Sequence, residues 1–434
     1  QVFISGMAIQ KASARDVVRR CRAAGIRIVA GGPLFDGKDP AFADVDHFVL
    51  NEAEITLPLF LADLKRGKPR RIYTTANHPE LQKTPVPRWE LANLKRYASM
   101  CIQYSRGCPH DCDFCNVTAL LGRRVRTKTT AQIMAELDAL YASGWHGDVF
   151  FVDDNFIGNK HRLKTDLLPA LIARRRANND LFHFYTEVSI DLADDPELMR
   201  PMVTAGFDKV FIGIETPDEA CLAECSKRQN ENRDMIRDVK KIQQAGLQVQ
   251  AGFIVGFDND QESVFKRQID FIQKSGIVTA MVGLLQAPPG TRLYRRMKAE
   301  GRLIGASTGN NADGTTNIVP LMGQERLQAG YRKILDHIYS PKHYYDRIMT
   351  FLKEYRPPVP ERHSRLTLSD MMILGRSIAR LGVIGRERLY FWKLILWTGC
   401  HRPALLHLSV TLAICGYHFR KVANVTRQTS TPKI

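Results

Sequence analysis

The chain of 434 residues lacks the marks of several protein classes. Its nine cysteines are too scattered for the disulfide framework of a secreted domain, and they suit a reducing cytosol. There is no P-loop, no H-E-x-x-H zinc motif and no recognisable Ser-His-Asp triad. We therefore expect a cytoplasmic protein that is neither a P-loop nucleotide hydrolase nor a zinc protease.

The chain also lacks an apolar run long enough to cross a membrane. Its two most apolar stretches, 389–397 and 404–419, fall short of the roughly 20 residues that a span needs, and each contains a Lys or His. We expect them to pack against the rest of the protein. A peripheral contact with a membrane surface, or with an apolar substrate, is the alternative.

An initiator Met and a signal peptide are both missing. Residues 1–7 already have the pattern of a buried strand. We therefore expect the N-terminus to be truncated, with a further segment upstream.

Negative charge is scarce towards the end of the chain. The net charge is +17, and residues 323–434 carry 19 Lys and Arg against 7 Asp and Glu. A basic region of this kind can meet nucleic acid or anionic lipid, or can simply be a solvated helical surface.

Strands and helices alternate through most of the chain. In residues 1–70 a strand, an amphipathic helix, two further strands and a second helix follow one another, which predicts a parallel α/β sheet. Six further apolar strands are expected at 101–105, 148–153, 182–188, 208–214, 248–255 and 278–285. Six βα units predict a partial (β/α)6 barrel, in which chemistry belongs at the carboxyl ends of the strands.

These patterns predict four regions. They are a doubly wound α/β part at 1–72, a polar, proline-containing linker at 73–98, the barrel at 99–300 and a mainly helical, basic extension at 301–434.

Three cysteines follow the first barrel strand with the spacing C-x3-C-x2-C. They are Cys108, Cys112 and Cys115. Three thiolates this close cannot all form disulfides, and they lack the fourth nearby ligand of a structural zinc site. They can hold three irons of a [4Fe–4S] cluster and leave the fourth iron open. A buried or zinc-binding cysteine group is the alternative.

This loop resembles the signature of the radical S-adenosylmethionine (SAM) superfamily, which places an aromatic residue, here Phe114, before the last cysteine. The resemblance implies that the three cysteines bind the cluster and that SAM chelates its open iron. One electron then cleaves SAM to methionine and a 5′-deoxyadenosyl radical. An electron donor such as flavodoxin or ferredoxin is implied as a partner.

Polar residues at the ends of later strands fit the same family. The resemblance implies that Asp153, Asp154 and Asn155 hold the amino group of SAM, and that Glu187 and Glu215 bind its ribose or amine. A helix N-cap is the alternative for Asn155, and a surface position is the alternative for the two glutamates.

Glycines complete the resemblance. Gly252 and Gly256, on the fifth strand, correspond to the strand on which the adenine of SAM rests, since glycine allows close backbone approach. By contrast, Cys221 and Cys225 lack a third partner and are expected to be structural, and Cys101 is expected in the core.

The N-terminal part resembles the second half of a cobalamin-binding domain. That family has a serine after one strand and a Gly-Gly turn after the next, here Ser5-Gly6 and Gly31-Gly32. The stretch 51–54 resembles the G-E-x-E motif that closes this domain, with Asn in place of Gly. The cobalt-ligand loop of the family would lie upstream of residue 1.

Taken together, the chain resembles cobalamin-dependent radical SAM enzymes, in the branch of hopanoid C-2 and bacteriochlorophyll methylases. This implies methylation of an unactivated carbon, and the apolar C-terminal segments favour a lipid or tetrapyrrole substrate. Radical cyclisation or oxidation without methyl transfer is the first alternative. RNA modification and cobalamin sensing are weaker ones, since no RNA-binding module is recognisable and a sensor needs no cluster.

Overall fold

The computed structural model of the protein describes residues 1–178, 182–357 and 368–429. Within these ranges there are two parallel sheets, a short antiparallel hairpin and a group of C-terminal helices. The predicted α/β class with a partial barrel and a helical extension is confirmed.

The N-terminal sheet has four parallel strands that neighbour one another in chain order. They are β1 (Val2–Ser5), β2 (Ile28–Gly31), β3 (His47–Val49) and β4 (Ile72–Tyr73), with helices α1 (Lys11–Ala23) and α2 (Ala53–Lys65) between them. Strand β4 is not among the predicted strands, because two residues are too few to show a burial pattern. It lies where the polar linker was expected to begin.

The later strands in chain order are β5 (Met100–Ile102), β6 (Ser105–Arg106), β7 (Arg126–Thr127), β8 (Val149–Phe151), β9 (Phe184–Val188), β10 (Phe207–Glu215), β11 (Gln248–Val255) and β12 (Ala280–Leu284). The second sheet holds the six predicted strands, all parallel, in the order β5-β8-β9-β10-β11-β12. Strands β5 and β12 are its two edges, so the barrel is open.

Helices connect these strands and cover the outer face of the sheet. They are α3 (Val117–Leu121), α4 (Thr130–Ala142), α5 (Lys160–Arg162), α6 (Leu168–Asn178), α7 (Pro196–Ala205), α8 (Glu219–Glu224), α9 (Met235–Gln244), α10 (Ser263–Ser275) and α11 (Arg292–Ala299). Burial alternates along the strands, as in β9, where Phe184, Thr186 and Val188 are buried and Tyr185 and Glu187 are only partly covered. The second set therefore faces the inside of the barrel.

Strands β6 and β7 form an antiparallel hairpin beside the first barrel strand, with Ser105 opposite Thr127 and Arg106 opposite Arg126. The cysteine loop and α3 lie between its two strands. The hairpin thus carries the three cysteines at the carboxyl end of β5.

The C-terminal region is helical, as predicted. Its helices are α12 (Gln324–Ile338), α13 (Pro341–Glu354), α14 (Leu368–Ser377), α15 (Arg388–His401) and α16 (Leu406–Thr429). They are fastened to the barrel by buried polar groups. The Tyr339 hydroxyl donates to the Ala280 carbonyl of β12 (2.5 Å), and buried Arg347 donates to Gln273 and to the Val278 carbonyl. No helix in the described ranges is long and apolar enough to cross a bilayer.

Candidate active site

The cysteine loop begins with a turn that only glycine fits well. Gly107 has a φ of 92°, and a Cβ there would lie 2.7 Å from the Arg124 carbonyl oxygen. The loop then folds on itself: the Cys108 amide donates to the Gly122 carbonyl (3.3 Å), and the Cys115 amide donates to the Cys112 carbonyl (3.3 Å). The backbone therefore holds the three thiols in one compact turn.

All three thiols are free and largely buried, and burial raises the pKa of each, that of Cys115 to about 12. The Gln229 side-chain amide donates to the Cys112 sulfur (3.7 Å). The Lys227 ammonium offsets part of the rise in pKa at all three thiols. Metal binding favours thiolates over thiols. The loop thus has the donors that an iron–sulfur cluster requires.

A single metal ion fits this loop less well. Among the residues with described positions, no three His, Cys, Asp or Glu side chains are arranged to hold one ion. The ligands of a [4Fe–4S] cluster bind different irons, so they need not converge on one point. The three free thiols therefore fit a cluster better than the structural zinc site considered above.

Phe114 points away from the loop into a small apolar cluster. Its ring packs against Phe257 with a centroid separation of 6.3 Å, and the Lys227 nitrogen lies 6.0 Å from its centre. The aromatic residue of the motif thus anchors the loop to the end of β11.

Asp153 serves the backbone around the loop. Its carboxylate is buried and accepts hydrogen bonds from the Tyr104 amide (3.1 Å) and from both the amide and the hydroxyl of Ser105. Burial raises its pKa to about 7. Both oxygens are thus occupied by the chain, and Asp153 fixes the end of β8 to the start of the hairpin.

Asp154 and Glu187 differ from Asp153 in having spare acceptors. The Gly107 amide faces the Asp154 carboxylate and favours its charged form, while Asp154 Oδ2 is buried without a partner. Glu187 has no hydrogen bond or ion pair with any described residue. Burial, together with the charge of Asp154, raises the pKa of Glu187 to about 7. Such unsatisfied carboxyl groups suit a ligand with cationic or hydroxyl donors.

Asn155 joins two strand ends. Its amide donates to the Ser189 hydroxyl (3.1 Å), and the Ser189 amide donates to its carbonyl oxygen (3.2 Å). It precedes a 3-10 turn at Phe156–Asn159 but its side chain makes no cap hydrogen bond there. The N-cap alternative therefore does not describe this side chain.

Glu215 is paired with a lysine that sequence reasoning missed. Lys227 Nζ lies 2.7 Å from Glu215 Oε1, and Glu215 has a φ of 62° at a bulge in β10. Gly213 makes room for the pair, because a Cβ there would lie 2.3 Å from the carboxylate and 2.8 Å from the ammonium. Burial opposes the charge, but Glu215 and the thiols raise the pKa of Lys227 above its ordinary value.

Gly252 in β11 and Gly256, directly after it, are glycines for different structural reasons. Gly252 lies on the partly covered side of the strand, where a Cβ would come within 3.1 Å of the Phe211 ring. Gly256 has a φ of 112°, and its amide donates to Asp260 (2.7 Å). The Cys221 thiol donates to the same Asp260, and Cys225 is buried, in keeping with structural roles.

The expectation that Cys101 lies in the core is wrong. Its side chain is exposed, whereas its neighbours Met100 and Ile102 are buried against the helices. Because side chains alternate along a strand, Cys101 faces the inside of the open barrel.

The small residues of the N-terminal sheet lie together at its carboxyl edge. Ser5 and Gly31 are opposite each other at the ends of β1 and β2. Gly32 has a φ of 85°, and a Cβ there would lie 2.6 Å from the Ser5 hydroxyl. Gly6 follows, buried against Leu34. Any larger residue at position 32 would fill the space beside Ser5. These small residues therefore fit the cobalamin tail that, in the family this part resembles, passes between strand and helix.

A charged cluster fastens the N-terminal sheet to the barrel, and we name it the junction cluster. Glu52, which is 7% exposed, accepts hydrogen bonds from Arg106 (2.7 Å), from Arg126 (2.9 Å to each oxygen) and from His78 (2.9 Å). Glu54 forms a bidentate pair with Arg106. The carboxyl edge of the first sheet is therefore held against the hairpin that carries the cysteine loop.

Comparison with known proteins identifies the class. The family model of the radical SAM superfamily matches residues 102–272, and a domain of unknown function matches residues 291–431. An uncharacterized methyltransferase of Synechocystis sp. is 39% identical over 98% of this chain and 80% of its own length. The hopanoid C-2 methylase of Rhodopseudomonas palustris is 32% identical over 91% of this chain and 76% of its own.

A solved structure agrees at the level of fold. The radical SAM methyltransferase TsrM from Kitasatospora setae, determined with cobalamin and a [4Fe–4S] cluster bound, aligns with a TM-score of 0.59 at 14% identity. The alignment covers 96% of this chain and 88% of TsrM.

The chain is an enzyme of the radical SAM superfamily. Within it, the chain belongs to the methyltransferase family that includes hopanoid C-2 methylase, as the sequence resemblance predicts.

Proposed function

We propose that this protein methylates an unactivated carbon of an apolar substrate, using a [4Fe–4S] cluster, SAM and cobalamin. The observation that carries the proposal is a juxtaposition. Three free thiols lie at the carboxyl end of an open βα barrel, and the junction cluster holds the edge of the N-terminal sheet against the same loop. When bound, the cluster and SAM supply a radical that removes hydrogen, and cobalamin supplies the methyl group.

Under this proposal Cys108, Cys112 and Cys115 hold the cluster. Their partly to fully buried positions limit the access of water, and the Lys227 ammonium favours the thiolate forms. Gln229 donates to the Cys112 sulfur and adds a neutral hydrogen bond. These contacts would tune the cluster's reduction potential without taking a coordination position.

SAM would lie between the loop and the barrel strands. Asp154 Oδ2 and Glu187 have free acceptors for its amino group or ribose. The Lys227–Glu215 pair offers charge of both signs nearby. Gly252 and Gly256 would leave room for the adenine, while Phe114, Asp153 and Asn155 position the loop and strand ends. Cobalamin would pass between Ser5, Gly6, Gly31 and Gly32.

The inner face of the barrel supports the proposed substrate class. The rings of Phe150 and Tyr185 stack with centroids 4.6 Å apart and planes 6° from parallel. Phe211 lies on the same side of β10, and Met281 on β12 is 43% exposed. Lys209 is neutralised by Asp148 and Asp208. This wall suits an apolar lipid or a tetrapyrrole-like ring better than a charged substrate, and the similarity to hopanoid C-2 methylase supports a lipid.

The chemistry explains why two cofactors are needed. An unactivated carbon has no lone pair and no acidic proton, so it cannot attack the methyl group of SAM directly. Removing a hydrogen atom gives a carbon radical that can accept a methyl group. Radical cyclisation or oxidation would use the same site without methyl transfer, and the product mass separates the outcomes, since only methylation adds one CH2.

The partners also belong to the proposal. A cluster of this kind needs a one-electron donor such as flavodoxin or ferredoxin. We place the enzyme in the cytoplasm. Because its proposed substrate is apolar, we expect its C-terminal region to contact a membrane surface. RNA modification is the less favoured alternative, and a strongly salt-dependent affinity for tRNA would support it.

The test is anaerobic reconstitution of the full chain with iron, sulfide and cobalamin, followed by addition of SAM, a reductant and candidate hopanoids or tetrapyrroles. We expect 5′-deoxyadenosine together with a substrate that has gained one CH2. A product whose exact mass does not correspond to one added CH2 would support cyclisation or oxidation. Absence of 5′-deoxyadenosine under all conditions would contradict the proposal.

A further inference from the structure

An exposed apolar surface covers α14, α15, the turn between them and the first residue of α16, and we call it the α14–α15 surface. Ten large apolar side chains here are at least 38% exposed, with Ile384 at 71% and Leu389 at 75%. They are Met371, Met372, Ile373, Leu374, Val383, Ile384, Leu389, Trp392, Leu396 and Leu406. Exposed apolar side chains concentrated in one part of a folded chain indicate an interaction site.

Helix α15 and the turn before it are firmly anchored on their other side, whereas residues 371–376 of α14 are exposed on every face. Phe391, Leu394 and Thr398 of α15 are buried, as is Leu381 in the turn. The buried carboxylate of Glu387 pairs with Arg420 of α16. The exposed side chains of α15 and of the turn before it are therefore the outer face of a packed unit, and they are free to meet a partner without local unfolding.

Basic side chains surround these apolar ones. Residues 371–408 contain six Lys and Arg and a single acidic residue, Glu387, which the Arg420 pair already uses. Arg386, Arg388 and Lys393 are exposed and form no ion pair within the described part of the chain. The partner of this surface should therefore carry negative charge as well as apolar material.

We propose that the α14–α15 surface docks this enzyme, without spanning, on a bilayer that contains anionic lipid. Exposed Trp, Leu, Ile and Met side chains with interspersed Arg and Lys are the two signals that stable peripheral binding requires. A second copy of the chain fits less well, because a symmetric contact would bring the same unpaired cations together. A nucleic acid would leave the apolar side chains exposed.

This proposal rests on the membrane contact proposed above and assigns it to particular residues. It does not depend on the methyl-transfer reaction. An enzyme that failed to methylate could still bind vesicles, and one that bound no vesicles could still cleave SAM. The two failures are therefore distinguishable.

The first experiment is flotation of the full chain with vesicles of phosphatidylcholine, with and without phosphatidylglycerol. We expect binding only when phosphatidylglycerol is present. The double variant Ile384→Asp with Leu389→Asp should reduce binding by at least about a hundredfold, because each lost apolar contact is worth roughly 1.5 kcal/mol or more. The matched control is Leu91→Asp with Leu321→Asp, which changes equally exposed apolar residues elsewhere and should bind as the parent does.

The second experiment separates charge from apolar contact. Arg386→Gln with Arg388→Gln should weaken binding by about thirtyfold, since each basic residue near an anionic surface contributes about 1 kcal/mol. Arg19→Gln with Arg20→Gln, on the exposed face of α1, is the control and should have no effect. Equal losses in variant and control would overturn the proposal, as would equal binding to neutral vesicles. A dimer in sedimentation velocity that only Ile384→Asp with Leu389→Asp dissolves, with no vesicle binding, would instead assign the surface to a second copy.

Discussion

Two clusters of buried charge lie on either side of the start of the cysteine loop, and they are built in opposite ways. In the junction cluster every charge faces an opposite one, and Glu52 alone receives hydrogen bonds from three basic side chains. At the mouth of the barrel carboxyl groups outnumber their partners, and Glu187 has none among the described residues. The first arrangement holds two sheets together, and the second leaves acceptors for a ligand.

The pKa values show the same difference. Burial raises the pKa of Glu52, but Arg126, Arg106 and His78 outweigh it and hold the value below its usual range. Burial of Glu187 is reinforced by the charges of Asp154, Glu215 and Asp153, and its pKa rises to about 7. A buried carboxylate that is fully paired stabilises the fold, whereas one left unpaired costs stability until something binds it.

The largest expected effect tests the junction cluster. Glu52→Ala leaves Arg106 and Arg126 without their main partner in a buried position, so it should lower the free energy of unfolding by about 3–5 kcal/mol. Chemical denaturation of the apo-protein measures this. The control is Glu90→Ala, which breaks a solvent-exposed pair with Arg88 and should leave the free energy of unfolding nearly unchanged. Similar losses for both variants would remove the distinction between the junction cluster and an ordinary surface pair.

The second-largest expected effect tests the unpaired carboxyl groups at the mouth of the barrel. Glu187→Gln keeps the shape of the side chain but removes a charged acceptor, so SAM should bind about ten- to a hundredfold more weakly to the reconstituted enzyme. The unfolding free energy of the apo-protein should not fall, because Glu187 has no partner in the described chain to lose. Isothermal titration with SAM and denaturation together give the answer. A variant that loses stability but keeps its SAM affinity would show that Glu187 is structural.

The smallest effect is a pH dependence with opposite signs at the two clusters. The folded pKa of Glu187, about 7, exceeds its ordinary 4.5, so its contribution to stability is full below about pH 4.5 and is lost as the pH rises through 7. Glu187→Gln should therefore gain in Tm relative to the parent between about pH 5 and 8. The pKa of Glu52 is lowered, so its contribution is present above about pH 4.5 and is lost on acidification.

Melting curves across this range compare Glu187→Gln and Glu52→Gln with the parent. The Tm deficit of Glu52→Gln should be constant at neutral pH and shrink below about pH 4.5. Parallel curves for all three proteins would contradict the contrast between the clusters.

Much of the barrel could be predicted from the sequence because its signals are local. The six strands are apolar runs between amphipathic helices, and the cysteine spacing is a short motif, so neighbouring residues carry both. The strand β4 has only two residues and no periodicity to detect. Cys101 sits in a three-residue strand, where a single apolar residue can face either side.

The charged clusters could not be predicted, because their members are far apart in the chain. Glu52 meets Arg126 across 74 residues, and neither residue is unusual where it stands. Lys227 follows a short helix in no recognisable motif, and only the fold brings it beside Glu215 and the thiols. The apolar stretch 389–397 predicted packing, yet it both packs and presents exposed residues, since burial depends on which helix face finds a neighbour.

We propose that the cysteine loop and the barrel mouth together form a site that cleaves SAM. The most direct measurement is 5′-deoxyadenosine formed from SAM by the anaerobically reconstituted and reduced protein, compared with its Cys112→Ala variant. We predict formation by the parent and none above background by the variant, with loss of the cluster's visible absorption. A variant that keeps both the cluster and SAM cleavage would contradict the account.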